Sequence, residues 1–288
     1  MLHRVGNAAA AATKAILPNL AGRAAFHVVH AEVGAAAHLS VRRKQVLRHP
    51  RFDLGSVILV LEGHKTVAGE GRPVEAQVGE IMIVPPGGEA EVVNAPAPGG
   101  LYRAAIIGFA PELVSAFAKG HRHLVAGKRV LGRITTMPDD GELAEAIGRA
   151  LRGLSGETSA GPDLLRHRLT EILVQLAERG IVFGGTRPAS LGERVGAHIG
   201  RDIAHPWTVG EVAEALALGE ATLRRHLAAE GTSFSDILAG LRLGYALLLL
   251  QSSERSVVQI AHDVGYLSPS RFAARFRARY GVAPSALR

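Results

Sequence analysis

Arginine is well suited to gripping phosphates and guanine edges, because its planar guanidinium presents five donors in a fixed fork. The end of this chain is rich in it. After Asp263 there is no acidic residue, but there are Arg271, Arg275, Arg277, Arg279 and Arg288. At 3.6 residues per turn, Arg271, Arg275 and Arg279 fall on one helical stripe, and Phe272, Phe276 and Tyr280 fall on the stripe beside it. The aromatic stripe is expected to bury against the rest of its domain. The arginine stripe would then stand at the edge of that contact, free to meet something anionic. Arg224, Arg225 and His226 form a second basic group earlier in the chain.

Other chemistries find little support. Cysteine is absent, which removes disulfides, thiol catalysis and thiolate metal sites and fits a reducing compartment. A catalytic metal needs several convergent ligands, whereas His64 stands alone after "LEG" and reads most simply as a strand-end or turn histidine. No metal, cofactor or catalytic residue is expected. The segment "VRRKQVLRHPRF" gathers Arg42, Arg43, Lys44, Arg48, His49 and Arg51. It is either a solvated edge or a basic rim that attracts a carboxylate or phosphate. On the second reading Arg42, Arg43, Arg48, Arg51 and His64 are the candidate effector contacts.

The elements that must position these groups change character along the chain. With 288 residues, 47% of them hydrophobic, there is material for about two packed domains. The formal net charge of +7 suits an anionic partner. Residues 1–22 are alanine-rich, broken by Lys14 and Pro18, and read as an arm rather than a signal peptide. No apolar run approaches the ~18 residues of a membrane helix, so a cytoplasmic protein without a membrane partner is expected.

Residues 23–110 are strand-like, with "SVILVL", "VEAQV", "IMIV" and "YRAAIIGF" separated by glycine turns, as in a small barrel or sandwich. Residues 111–181 are helical. Within them Leu165, Leu169, Ile172 and Leu176 make an a/d stripe, which suits either a helix lying on the barrel or a dimer seam. Residues 182–190 read as the linker from their Gly, Pro and Ser content. From 191 to 288 everything is helical. Ser190 with Glu193, Thr208 with Glu211 and Ser256 with Gln259 each fit the reciprocal capping box.

This last part contains a repeat. "EVAEALALGEATLRRHLAAEG" resembles "QIAHDVGYLSPSRFAARFRARYG": Val212-Ala213 matches Ile260-Ala261, Leu223 matches Phe272, Leu227 matches Phe276 and Gly231 matches Gly281. Each unit is a short helix, a tight turn and a second helix, which is the helix-turn-helix layout. In the second unit Ser268 can cap, Pro269 suits the first helical position, Gly281 can end the helix and Pro284 prevents its resumption. "ILAGLRLGYALLLL" lies between the units and is too apolar for a solvated spacer, so it should pack against both.

With "LRRHLAAEGTSF", "LRLGYALLLL" with its Arg242, "IAHDVGY" and "SPSRFAARFRARYGVAPSALR" in that order, Ser190–Arg288 resembles the DNA-binding domain of the AraC/XylS regulators. "GEIMIVPPGGEAEVVN" resembles, less specifically, the second motif of the cupin-like sensor that such regulators carry. Ala90 occupies its metal-histidine slot, and the histidine pair of the first motif is missing. The resemblance implies an α+β protein: an N-terminal cupin-like β-barrel with flanking helices, then an all-α domain of two helix-turn-helix units joined by a linker helix.

It also implies that Ala221, Thr222, Arg224 and Arg225 on the first second-helix, and Pro269, Ser270 and Arg271 on the second, face DNA. Two positions depart from the family pattern. Gly219 stands where serine usually precedes the first recognition helix. Ala274 stands where the second usually carries arginine, with Arg275 one position on. The second unit is therefore expected to hold phosphates through Arg271 and Arg275, and the first to read more sequence. By the same resemblance the protein is a nucleoid-associated bacterial transcription activator. Its partners would be double-stranded DNA, a small-molecule effector (anionic, on the rim reading), RNA polymerase and a second copy of itself. The alternatives are a ligand-independent dimeric DNA-binding regulator and a cupin-type enzyme.

Overall fold

The computed structural model describes residues 26–30, 33–69, 71–184 and 190–287. The N-terminal arm expected at 1–22 lies outside the described residues, as do 185–189 of the expected linker and Arg288.

Twelve strands build the N-terminal domain: β1 (Phe26–His30), β2 (Gly34–Val41), β3 (Gln45–Leu47), β4 (Arg51–Phe52), β5 (Gly55–Glu62), β6 (His64–Ala68), β7 (Val74–Ala76), β8 (Glu80–Val84), β9 (Gly88–Glu89), β10 (Glu91–Ala95), β11 (Tyr102–Phe109) and β12 (Thr135–Pro138). Six pair antiparallel in the order β1-β2-β11-β5-β8-β12, and four pair as β3-β10-β6-β7. The two sheets share one apolar cluster, so they close on each other as a barrel.

The continuous apolar runs follow from burial of the larger sheet on both faces. Val57, Leu59, Leu61, Ile81, Ile83, Ala105 and Ile107 join the core under the flanking helices. Their alternates Ile58, Val60, Met82, Val84, Tyr102 and Ala104 join the cluster inside the barrel.

The flanking helices are α1 (Pro111–Gly120), α2 (Arg122–Val125), α3 (Glu142–Leu154) and α4 (Pro162–Glu178). Proline opens both α1 and α4. This stretch is not wholly helical as expected, because β12 interrupts it and pairs with the edge of β8. Leu165, Leu169, Ile172 and Leu176 are all buried in the domain's own core. Each such side chain contributes about 1.5–3 kcal/mol by burial. Opening the stripe for a second chain would therefore lose roughly 6–12 kcal/mol, comparable with a whole domain's stability. Of the two readings, the helix on the barrel is the one observed. The segment read as linker also gives up its first two residues to this core. Val182 bridges to Val130, and the Phe183 ring lies 5.5 Å from that of Phe109.

The C-terminal domain runs α5 (Leu191–Ile199), α6 (Val209–Ala215), α7 (Glu220–Ala229), α8 (Phe234–Ser252), α9 (Val257–Asp263) and α10 (Pro269–Tyr280), ending in a 3-10 turn at Pro284–Leu287. All three capping boxes form. α8 is a 19-residue helix of mean hydropathy 1.3, apolar enough by composition to cross a membrane, so the expectation that no run approaches that length does not hold. Its buried residues, Leu243, Ala246, Leu247, Leu249 and Leu250, face other parts of this chain instead.

The repeat is real at the backbone level. Four residues after each matched Val-Ala or Ile-Ala pair the chain turns through a left-handed conformation, at Ala217 (φ 56°) in the first unit and Gly265 (φ 79°) in the second. An L-residue with a Cβ is strained there by ~1–2 kcal/mol, whereas glycine is not. Ala217→Gly should therefore stabilise the protein by about 0.5–1 kcal/mol, the relief being partly offset by the freer unfolded chain. Gly265→Ala should destabilise it by about 2–3 kcal/mol, because the new Cβ would lie 2.6 Å from Arg242 Nη2 and 2.8 Å from the Ala204 carbonyl. Urea midpoints measured at unchanged m-value test both, and a loss of stability in A217G would contradict the assigned strain.

Candidate nucleic-acid interface

Two helices, α7 and α10, carry the arginines singled out in the sequence. In α7, Leu223 and Leu227 are buried in a compact core with Val195, Ile199, Val212 and Ala213. Ala221, Arg224, Arg225 and His226 are thereby turned outward, with Thr222 half-buried. Arg224 pairs with Glu220 one turn back, at 3.2 Å. Gly219 caps the helix without a side-chain hydrogen bond.

In α10 the Ser268 hydroxyl accepts from the Arg271 amide at 3.3 Å, and Pro269 occupies the first turn. The aromatic stripe is buried as expected. Tyr266, Phe272, Phe276 and Tyr280 form a chain of ring contacts with successive centroids 5.4, 5.6 and 4.7 Å apart. Ser270, Arg271, Ala274 and Arg275 are exposed. Among the described residues Arg225, Arg271 and Arg275 have no carboxylate partner. Gly281 ends the helix in the left-handed region, its N–H donating to the Arg277 carbonyl at 2.9 Å.

Arg279 departs from the expectation. It is not free at the edge of the stripe but bonds to Glu89 of the barrel at 2.6 Å. It belongs to a larger docking surface. The Arg48 amide donates to the Tyr280 carbonyl at 3.0 Å. The Gln251 amide of α8 donates to Gln45 Oε1 at 2.7 Å, and Gln45 Nε2 donates to the Leu287 carbonyl at 3.5 Å. The second unit therefore shares one apolar cluster with the barrel, while the first unit keeps a core of its own.

Both units hang on Arg242, in the middle of α8. Its guanidinium donates to the carbonyls of Ile203 at 3.2 Å, His205 at 2.7 Å and Gly265 at 3.1 Å. The first two lie just before α6 and the third lies in the turn of the second unit, so one side chain ties the two readers to one helix. Partial desolvation pushes its pKa down.

The basic segment lies on the surface. Arg42, Arg43, Arg48 and Arg51 are exposed, Arg51 pairs with Asp53 at 2.9 Å, and the Arg48 side chain lies against Gly281. His64 is half-buried at the start of β6. Among the described residues no three His, Asp or Glu side chains converge as a metal site would require.

The barrel interior instead holds Lys65, 3% exposed, whose amine donates to Asn94 Oδ1 at 2.7 Å. Asn94 Nδ2 in turn donates to Gln45 Oε1 at 3.4 Å. Burial lowers the Lys65 pKa to about 7.

Comparison with known proteins agrees with this geometry. Residues 212–288 match the model of a helix-turn-helix domain, and residues 32–173 match that of the AraC-like ligand binding domain. The chain belongs to the AraC/XylS family of transcription regulators. Among curated AraC/XylS-type relatives it is similar to the HTH-type transcriptional activator CfaD of Escherichia coli. The two are 38% identical over 86 residues, covering 30% of this chain and 32% of that protein. It is also 43% identical over 82 residues to the urease operon transcriptional activator of the same organism, 28% of each chain. The match thus spans about a third of these relatives' length.

The structure of ToxT from Vibrio cholerae covers 88% of this chain and 97% of its own, with a TM-score of 0.61 and 13% identity, a likeness of fold. A second ToxT structure, with an unsaturated fatty acid bound, covers 88% and 94% with a TM-score of 0.58 and 14% identity.

Within this AraC/XylS frame two features escaped the sequence. Leu267, in the turn entering α10, is 95% exposed beside Ser270 and Arg271. The chain Lys65–Asn94–Gln45–Gln251 joins positions too far apart in sequence for any local pattern to link them.

Two measurements follow. Arg242→Ala removes three charge-assisted bonds and should cost about 2–4 kcal/mol. It should also lower amide protection in α6 and in the α9–α10 turn together, whereas loss in one unit alone would contradict the shared clamp. The pH dependence of stability reads Lys65. Between its lowered folded value of about 7 and the ordinary 10.5, the unfolded chain binds more protons than the native one. Stability should therefore rise with pH across that window. In Lys65→Met that component should disappear from denaturation curves taken from pH 7 to 10.

Proposed function

We propose that the protein is a sequence-specific DNA-binding transcription activator controlled by a small-molecule effector held in its N-terminal barrel. The observation that carries this reading is the pair of helix-turn-helix units on a single clamped helix, each turning to solvent an arginine with no carboxylate partner among the described residues. A pair of helices fixed in this way can enter successive major-groove segments. Arg224 and Arg225, with Ala221 and Thr222, form the reading edge of α7. On α10 Pro269, Ser270, Arg271 and Arg275 face the duplex, with Arg271 and Arg275 on phosphates and Leu267 placed for apolar contact with a thymine methyl.

Dimerisation, contact with RNA polymerase and a cytoplasmic location complete the proposal, and no catalytic step is assigned. The dimer uses a surface other than the buried α4 stripe. An anionic effector suits the excess of +7.

Selection of bound sites from random duplex DNA, with and without a metabolite pool, should return a defined operator whose recovery depends on the pool. Affinity should fall steeply with salt, because each neutralised phosphate adds about 0.9 to the logarithmic slope. Arg275→Ala should weaken all sequences alike and reduce that slope by about 1. Arg225→Ala should cost about 1–3 kcal/mol at the selected site and relax its sequence preference. Salt-insensitive binding would sink the DNA assignment. If R225A kept operator preference while Arg271→Ala relaxed it, the division of labour between the two helices would be wrong.

A further inference from the structure

Residues 33–52 of the barrel contain no Asp or Glu but carry Arg42, Arg43, Lys44, Arg48 and Arg51. Arg51 pairs with Asp53 at 2.9 Å. Arg42, Arg43 and Lys44, in the turn between β2 and β3, are exposed, and among the described residues no carboxylate lies within ion-pair distance of them. Three adjacent like charges repel one another and bury nothing, so the fold gains nothing from them. Such a cluster is matched by an anion from outside.

The place of this turn is set by the second reader. β3 follows it directly and is tied to the C-terminal domain at both ends. At one end Gln45 accepts from the Gln251 amide at 2.7 Å and donates to the Leu287 carbonyl at 3.5 Å. Just past the other, the Arg48 amide donates to the Tyr280 carbonyl at 3.0 Å, and the Arg48 stem lies against Gly281, where α10 ends. Arg279, on the stripe of Arg271 and Arg275, meets Glu89 of β9 at 2.6 Å. The barrel thus adjoins α10 on the stripe's own side, and wherever α10 is placed the turn is placed with it.

The length of α10 gives this a consequence. Its 12 residues span about 18 Å, whereas the major groove is about 12 Å wide. With Arg271 and Arg275 in the groove, the far end of the helix is carried out over the phosphates that bound it. Gly281 lies about 9 Å along the axis from Arg275. There the barrel supplies Arg48 and, beyond Gln45, the three cations of the turn. A phosphate contact needs charge at the right distance and no base-reading geometry, which is what a turn of exposed Arg and Lys offers.

Taking the DNA-binding reading above as premise, we propose that Arg42, Arg43 and Lys44 bind the phosphate backbone just outside the segment read by α10. The N-terminal barrel is then part of the DNA interface, and the basic segment serves nucleic acid rather than the rim of an effector site.

The test is fluorescence anisotropy of the full chain on a long duplex carrying a site selected from random DNA, titrated over a range of salt. Each neutralised phosphate contributes about 0.9 to the logarithmic slope, so R42A/R43A/K44A should lower it by about 2–3. Preference for the selected site over single-base variants should stay within twofold. R42K/R43K keeps the charge and should keep the slope. Lys119, Arg122 and Arg129 are exposed in and after α1 and α2. K119A/R122A/R129A removes the same charge from there and should leave the slope unchanged. Arg48 is left intact because it also packs on Gly281. Hydroxyl-radical footprinting should show protected backbone beyond the α10 end of the site in the wild type and none there in the triple turn variant. If that variant does not fold, R43A and K44A singly should each lower the slope by about 1.

An unchanged slope and footprint overturn the proposal. So does an equal loss in the charge-matched control, which would show bulk charge at work. If the turn variant keeps its DNA slope and instead loses binding to vesicles of anionic lipid, the turn serves a membrane and the proposal falls. A wild type that binds no duplex strikes the regulator reading itself. A wild type with a selected site and a steep slope, equalled by the turn variant, strikes this inference alone.

Discussion

Arg242 is the interaction on which the geometry of the C-terminal domain depends. A guanidinium in the middle of an apolar helix would be a defect if it met only hydrocarbon. Here it meets three carbonyls, two from the loop leading into the first helix-turn-helix unit and one from the turn of the second. The clamp also explains Gly265, where a Cβ would collide with the guanidinium. A rigid pair of readers needs a fixed angle between them. Apolar packing along α8 gives cohesion, but it is non-directional, and directional bonds to backbone oxygens supply the register.

The second constraint is the six-stranded sheet, whose two faces both need cover. One face is covered by α1, α3 and α4, and the other by the small sheet within a cluster that runs on into the second reader. The two readers are consequently unequal. The α7 unit carries an independent core, whereas α10 has its C-terminal end anchored by Tyr280 and Arg279 on the barrel. The stripe arginines without a carboxylate partner among the described residues, Arg271 and Arg275, lie in the first two turns of α10. This gives a structural context for Ala274, since that helix has been drawn partly into domain docking.

Much of this was legible in the sequence, and the divisions are physical. The repeat, the capping boxes and the aromatic stripe are local patterns with fixed spacings, and all appear as read. So does the packed helix between the units. The four-residue β12 carries too short a pattern to mark a strand between helical stretches, and it forms because the edge of β8 needs a partner. The leucine stripe of α4 has the same spacing whether it covers a sheet or a second chain, so only the fold decides between them. Val182 and Phe183 sit beside Gly, Pro and Ser, and their burial depends on Val130 and Phe109, far away in sequence. Arg279 looked like its neighbours at 271 and 275, because nothing local reveals a Glu89 that arrives from another domain. Lys65, Asn94, Gln45 and Gln251 are single polar residues in otherwise ordinary segments, and their meaning arises only where they meet.

That meeting bears on how such a protein could switch. A typical hydrogen bond contributes only about 0.5–1.5 kcal/mol net, so the three bonds through Arg48, Gln45 and Gln251 hold the domains with a few kcal/mol in all. Couplings between sites typically amount to 1–3 kcal/mol. With the charge-assisted Arg279–Glu89 bond, the polar part of the docking is on the scale of such a coupling, and the apolar cluster shared by the barrel and the second unit supplies the rest of the hold. Displacing α10 from the barrel therefore also gives up apolar contact within that shared cluster. Because α7 has its own core, the first unit does not bear that cost.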